Sequence, residues 1–327
     1  MNNMVRLCMI GAGRHASGNV YPCFYFLRNA RVVANADLDK GRAQAIAARC
    51  GIPNSYGDYH EMLEREKPDG VLVCVNKEFH AAAAIELMEL GYPVYTEKPN
   101  APDLGRCKAV LETARRTGRL CMVAYKKRFA PSYAKAKAIV DGEQFGAPSL
   151  ITVYRTKGHG ENDDPEDPYL LDWGCHAIDL LTYLFGPVSR VQVFTAQGTT
   201  NTWAVNVQFV NGAAGSLCLT NRPGPLTEHV TMVGSRGVRI DVDNAINMQA
   251  YKYGVLLDRN EPEWSCGTRN SAKEQGFAPE LQGFVDAIRD GTPPVSTIET
   301  ATHSMAVYDA ILRSRAADGA IVTVEDA

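Results

Sequence analysis

The chain has 327 residues, 45% hydrophobic and 22% charged, with a formal net charge of −3. This is an ordinary globular composition, and the length leads us to expect two domains. The slightly acidic balance, with no basic stripe, gives no general attraction for nucleic acid or anionic membranes. Apolar runs of about six to eight residues fall far short of the ~20 that cross a bilayer.

The first third alternates between strands and helices. Apolar runs at 5–10, 31–36, 70–75, 93–96 and 120–125 predict strands, and the stretches 15–28, 39–50, 58–66, 79–90 and 103–117 predict helices. Strands that are apolar throughout, separated by helices, predict a doubly wound parallel sheet covered on both faces. Gly51, Gly91 and Gly118 each follow a predicted helix, where a left-handed residue commonly ends the turn. From about residue 126 the pattern changes. A helix at 131–141, a strand near 149–156 and a polar loop at 157–169 lead to a helix at 170–186. Strands then follow at 188–196, 202–210, 213–221, 228–234 and 237–242, and helices at 278–290 and 298–316 close the chain. The expected fold class is α/β: a parallel-sheet domain over 1–125, then an α+β domain over 126–327 with an open-faced, mostly antiparallel sheet.

Nine cysteines stand singly, with no C-x-x-C pair. They read as reduced thiols, several of them (Cys8, Cys74 and Cys121) small core residues, and none is assigned a catalytic role. No charged leader with a long apolar stretch begins the sequence, so a secretory signal is not expected and a cytoplasmic location is.

The motif "VRLCMIGAGRHAS" puts Gly11, Gly13 and Ala16 directly after the first strand. Gly11 permits a tight turn, Gly13 lets a pyrophosphate approach the backbone, and Ala16 keeps helix and strand close. Arg14 and His15 belong to the same turn and are counted with the cofactor site. Asp37 ends the second strand 21 residues after Ala16, the spacing of an acid that binds the adenosine ribose. Asp39 is the better candidate for capping the next helix. A carboxylate at Asp37 repels a 2′-phosphate, so NAD is expected over NADP, although Lys40 and Arg42 lie close by.

Ligands of such sheets bind beyond the carboxyl ends of the strands. There "YTEKP" leaves Glu97 and Lys98, and "CVNKEFH" leaves Val75, Asn76 and His80, which are expected to line the nicotinamide crevice. A second set, Asp172, His176 and Asp179, occupies the 170–186 helix at spacings of four and three, which place neighbours on adjoining parts of one face. With no third strong ligand and no H-E-x-x-H, no metal is expected.

These residues resemble the Gfo/Idh/MocA oxidoreductases, among them glucose–fructose oxidoreductase and inositol dehydrogenases. The resemblance runs through "GAGRHA", Asp37, "YTEKP", "VAYKKRFAPSY", "LLDWGCHAIDLLTYLFG" and the closing "FVDAIRDGTPPVSTIETATHSMAVYDAILRS". It implies a Rossmann domain followed by an open-faced sheet often used for oligomerisation, with Lys98, Asp172 and His176 as the catalytic set. It also implies that Lys127 lies near substrate. Two positions depart from the family pattern. Cys74, Val75 and Asn76 stand where T-P-N is common, and Asn100 follows E-K-P where an aliphatic residue is usual.

The expected reaction is hydride transfer between NAD and a secondary alcohol of a sugar, cyclitol or glycoside. His176 is the expected general base, Asp172 orients it, and Lys98 hydrogen-bonds the reacting oxygen. Glu97 fixes the lysine or the adjacent backbone, Pro99 limits the strand end, and a cis Lys98–Pro99 bond is compatible with that turn. The loop residues His159, Glu161, Asn162, Asp163 and Asp164 are polyol-contact candidates that serve equally as solvated surface. Two alternatives remain open: a glycosidase that retains NAD and works by transient oxidation and elimination, and a non-catalytic NAD(H) sensor. The expected partners are the small-molecule sugar or polyol and further copies of the chain, as a dimer or tetramer, with neither nucleic acid nor membrane.

Overall fold

The computed structural model describes residues 4–157, 169–196, 201–221, 224–261 and 271–325. His159, Glu161, Asn162, Asp163 and Asp164 lie outside the described residues. The chain divides into two compact units, Met1–Lys126 with Gly276–Thr302, and Lys127–Gln275 with His303–Ala327.

The first unit is built on six parallel strands: β1 (Val5–Ile10), β2 (Ala30–Ala36), β3 (Asn54–Tyr56), β4 (Gly70–Val73), β5 (Val94–Thr96) and β6 (Cys121–Val123). Their order is β3-β2-β1-β4-β5-β6, all parallel. Every residue of β4 and β5 is buried, as the continuous apolar runs require of strands covered on both faces. The order reverses between β1 and β4, the crevice where such sheets bind ligands. The helices are α1 (Lys40–Cys50), α2 (Tyr59–Glu66), α3 (Lys77–Glu89) and α4 (Leu104–Thr117). Asp39, Asp58 and Asp103 cap three of them through hydrogen bonds from backbone N–H groups.

The predicted helix at 15–28 takes another form. A π-helical turn, Ala16–Val20, passes into a 3-10 segment, Tyr21–Phe26. Pro22 supplies a reason, since it has no N–H to continue an α ladder and its ring crowds the preceding turn.

The second unit holds a nine-stranded sheet: β7 (Pro148–Thr156), β8 (Val188–Thr195), β9 (Thr202–Phe209), β10 (Ala214–Thr220), β11 (Thr227–Gly234), β12 (Val238–Asp243), β13 (Asn247–Lys252), β14 (Val255–Asn260) and β15 (Val322–Thr323). The order is β14-β13-β12-β11-β7-β10-β9-β8-β15. Neighbours are antiparallel except β7 and β10, so the expected mostly antiparallel sheet is found. On its inner face α5 (Pro131–Val140) packs against β12 and β13, and α6 (Cys175–Phe185) against β7. The other face carries a row across the strands made of Phe194, Ala204, Cys218, Tyr154, His229 and Asp243. Phe194 and Tyr154 are exposed there.

Past a short helix α7 (Ser271–Glu274), α8 (Phe277–Asp290) belongs to the first unit and packs against β1. Gly70 at the start of β4 makes room for it: a Cβ would come within 2.5 Å of the Ile288 side chain. Helix α9 (Ile298–Ala316) contributes residues to both units.

Candidate active site

The glycine turn is set by contacts on the protein side. Gly11 has φ +103°, and a Cβ there would lie 2.0 Å from the Cys74 carbonyl oxygen, so no other residue fits. A Cβ on Gly13 would meet nothing within 4 Å. Protein packing therefore does not demand glycine at 13, and the turn is left open on that side.

Asp37 braces this turn. Its Oδ2 accepts a hydrogen bond from the Ala12 N–H at 2.7 Å, and its Oδ1 accepts from the Asp39 N–H and from Arg42 Nη2 at 2.9 and 2.7 Å. Asp39, as expected, is the helix cap. Burial pushes the Asp37 carboxyl upward, but the Arg42 bond and the two backbone donors outweigh it and hold the group below its ordinary value.

Beyond β5, Glu97 is buried and Lys98 half-buried, and the Lys98–Pro99 bond is cis. Glu97 Oε1 lies 3.2 Å from His15 Nε2, and its Oε2 accepts the Lys98 N–H at 3.1 Å. One carboxylate thus ties the glycine turn to the backbone of the lysine. Burial alone raises the Glu97 carboxyl; the His15 bond, with the charges of His15 and Lys98, brings it below its usual value. His80 donates from Nδ1 to the Pro99 carbonyl at 2.8 Å, and burial lowers its affinity for a proton. Arg14 and Asn76 are exposed and Val75 is half-buried. Asn100 is fully buried and donates to the Cys107 sulfur, while its Oδ1 has no hydrogen-bond partner among the described residues. Burial pushes the thiols of Cys8, Cys74 and Cys121 up, consistent with inert core residues.

In the second unit Asp172 and His176 ride on one helical run. Residues Leu170–Gly174 form a π-helical turn that leads directly into α6. Such turns are rare and frequently mark functional sites. Asp172 is half-buried and His176 buried. Asp179 is set apart from them. Arg128 grips its carboxylate with Nε and Nη2 at 2.9 and 2.6 Å, and Ser304 donates to it as well; this is a buried structural pair.

Lys127 is buried, and its ammonium pairs with Glu228. Glu228 and its neighbour Arg155 belong to no motif, but their place in the strand pattern marks them. In "EHVTMV" and "ITVYR" each occupies the inward register of its strand, beside Val230 and Met232 or Ile151 and Val153. A charge in an apolar register is informative because it is costly.

A parallel sheet in 3-2-1-4-5-6 order, with a glycine-rich turn and an aspartate at its switch point, is the arrangement of a dinucleotide-binding domain. A family model described as "Oxidoreductase family, NAD-binding Rossmann fold" matches residues 5–125, and its companion "Oxidoreductase family, C-terminal alpha/beta domain" matches residues 137–324. The chain belongs to the Gfo/Idh/MocA oxidoreductase family and is an NAD-binding oxidoreductase. It is 24% identical to scyllo-inositol 2-dehydrogenase (NAD(+)) of Bacillus subtilis, over 94% of this chain and 93% of that protein. It is 28% identical to inositol 2-dehydrogenase of Klebsiella pneumoniae, over 97% and 93%. In fold it is similar to an oxidoreductase from Agrobacterium radiobacter solved with NAD+, L-tartaric acid and magnesium. That likeness has a TM-score of 0.84 at 19% identity and covers 98% of each chain. Among the described residues no helix is long and apolar enough to cross a membrane.

Proposed function

We propose that the protein is an NAD-dependent dehydrogenase that oxidises a secondary hydroxyl of a cyclitol, sugar or glycoside. What carries this reading is the Glu97 carboxylate, bonded both to His15 in the glycine turn and to the Lys98 N–H. It couples the cofactor turn to a lysine at the carboxyl end of a strand. The near-full-length similarity to two inositol 2-dehydrogenases supports the substrate class.

The residues that fit NAD are Gly11, Gly13 and Asp37, with Arg14, His15, Val75, Asn76, His80 and Glu97 around them. Bound NAD supplies the hydride acceptor. Lys98 donates a hydrogen bond to the reacting oxygen and favours its alkoxide character. His176 takes the hydroxyl proton, and Asp172 orients and stabilises the resulting imidazolium. As the C–H electron pair leaves with the hydride and the O–H proton goes to His176, the alcohol carbon becomes a carbonyl. Lys127 is assigned to substrate binding. We further propose that the open face of the nine-stranded sheet pairs with another copy of the chain.

The reading is tested by following NADH formation across inositols, free monosaccharides and glycosides, with products checked for bond cleavage. A free polyol that gives NADH and a ketone supports it. Release of an aglycone without net NADH points instead to the elimination route. NAD binding with no turnover on any polyol points to a sensor.

A further inference from the structure

Two charged side chains face each other inside the second unit. Glu228 on β11 and Arg155 on β7 are direct partners in the strand ladder, and both lie in the inward, helix-covered register, each 3% exposed. An inward row of a sheet is ordinarily apolar, and burying a carboxylate and a guanidinium costs several kcal/mol per ion before pairing offsets it. Stability alone therefore gives a weak reason for keeping them.

Their contacts suggest another reason. The Glu228 carboxylate accepts the Tyr133 hydroxyl at 2.7 Å and forms ion pairs with the Lys127 ammonium and with Arg155, whose Nε lies 3.5 Å away without a hydrogen bond. Arg155 Nη1 then donates to the Trp173 carbonyl at 2.6 Å. Trp173 sits in the π-helical turn Leu170–Gly174, next to Asp172. A π-helical turn departs from the α-helical i→i−4 ladder, and the Arg155 guanidinium bonds a carbonyl within that departure. One carboxylate is therefore linked both to the lysine assigned to substrate and, through one arginine, to the backbone that presents Asp172.

We propose that Glu228 and Arg155 are positioning residues, which set the direction of the Lys127 ammonium and the placement of Asp172 without touching substrate. The inference rests on the roles given above to Lys127 and Asp172. Displacement of a catalytic group by about 1 Å can cost ~100-fold in rate.

The test uses E228Q, which keeps an acceptor for Tyr133 but loses the charge, and R155K, which keeps a charge but loses the fork that reaches Trp173. Both should lower kcat/KM for the polyol by ~10–100-fold, leave the NAD Kd within about twofold, and leave the folded protein intact by circular dichroism. E228D should recover part of the E228Q loss. Variants that fold and turn over like the parent would overturn the proposal, as would a loss of NAD affinity equal to the loss of polyol turnover. A crystal structure of E228Q decides the same point without any substrate. The Lys127 ammonium and the Trp173 carbonyl should move by about 1 Å, and superposition on the parent positions would overturn the assignment. If the parent protein oxidised no polyol, the dehydrogenase reading would fall while the structure of E228Q still judged the positioning claim.

Discussion

Gly11 and Gly13 stand two residues apart in one turn and answer to different demands. Gly11→Ala forces a Cβ into the Cys74 carbonyl at positive φ and should destabilise the fold by roughly 1–3 kcal/mol or more, measured by urea unfolding. Gly13→Ala meets no protein atom within 4 Å. It should leave the unfolding midpoint unchanged while raising the NAD Kd by at least ~10-fold, since the backbone approach to the pyrophosphate is lost. Equal effects of the two substitutions on stability would contradict this division. Asp37→Ala should weaken NAD more than NADP, because it removes the ribose acceptor and the repulsion of a 2′-phosphate together. Equal losses would make Asp37 only a brace of the turn. His80 titrates with a defined sign. Its folded value is lowered, chiefly by burial, so the unfolded chain takes up a proton near its ordinary value of about 6.5 while the folded chain resists it. Stability should therefore fall as pH drops through that value. His80→Asn, which retains a donor for the Pro99 carbonyl, should show a smaller loss between pH 7.5 and 5.5; an identical loss would place the titration elsewhere.

Among the elements, α6 depends on a charge it buries. Removing one partner of the Arg128–Asp179 pair strands the other away from water, so Asp179→Ala should cost about 3–5 kcal/mol in denaturant unfolding. A cost under about 1 kcal/mol would mean that the site relaxes or fills with water. The sequence spacing that grouped Asp179 with Asp172 and His176 assumed an unbroken α-helix and had no means of seeing the partner 51 residues away. Strands such as VRLCMI and helices ending on Gly51 or Gly118 were legible because local pattern and tertiary role agree. Two classes of feature were not. The π-helical turns at Ala16–Val20 and Leu170–Gly174 have no periodicity of their own. Strands β13 and β14, "NMQAYK" and "VLLDRN", lie at or next to the sheet edge, and most of their residues face solvent or are half-buried.

At the scale of the whole molecule, the glycine turn, Asp37 and "YTEKP" could be read because each motif is local and each sits at the end of a strand. The return of α8 to β1 could not, since nothing in "FAPELQGFVDAIRD" names its partner. The exposed row through Phe194, Cys218 and Tyr154 is where a second copy is proposed to bind. Tyr154→Lys should lower the assembled mass in sedimentation experiments, whereas an unchanged mass would move the interface elsewhere. The most direct test of the central claim is NADH formation with an oxidisable polyol, compared between the parent, Lys98→Ala and His176→Ala. Lys98→Ala should lower kcat at least ~100-fold with NAD still bound, and His176→Ala should flatten the acid limb of the pH–rate profile. Unchanged turnover without the lysine, or an unaltered acid limb without the histidine, would contradict that claim.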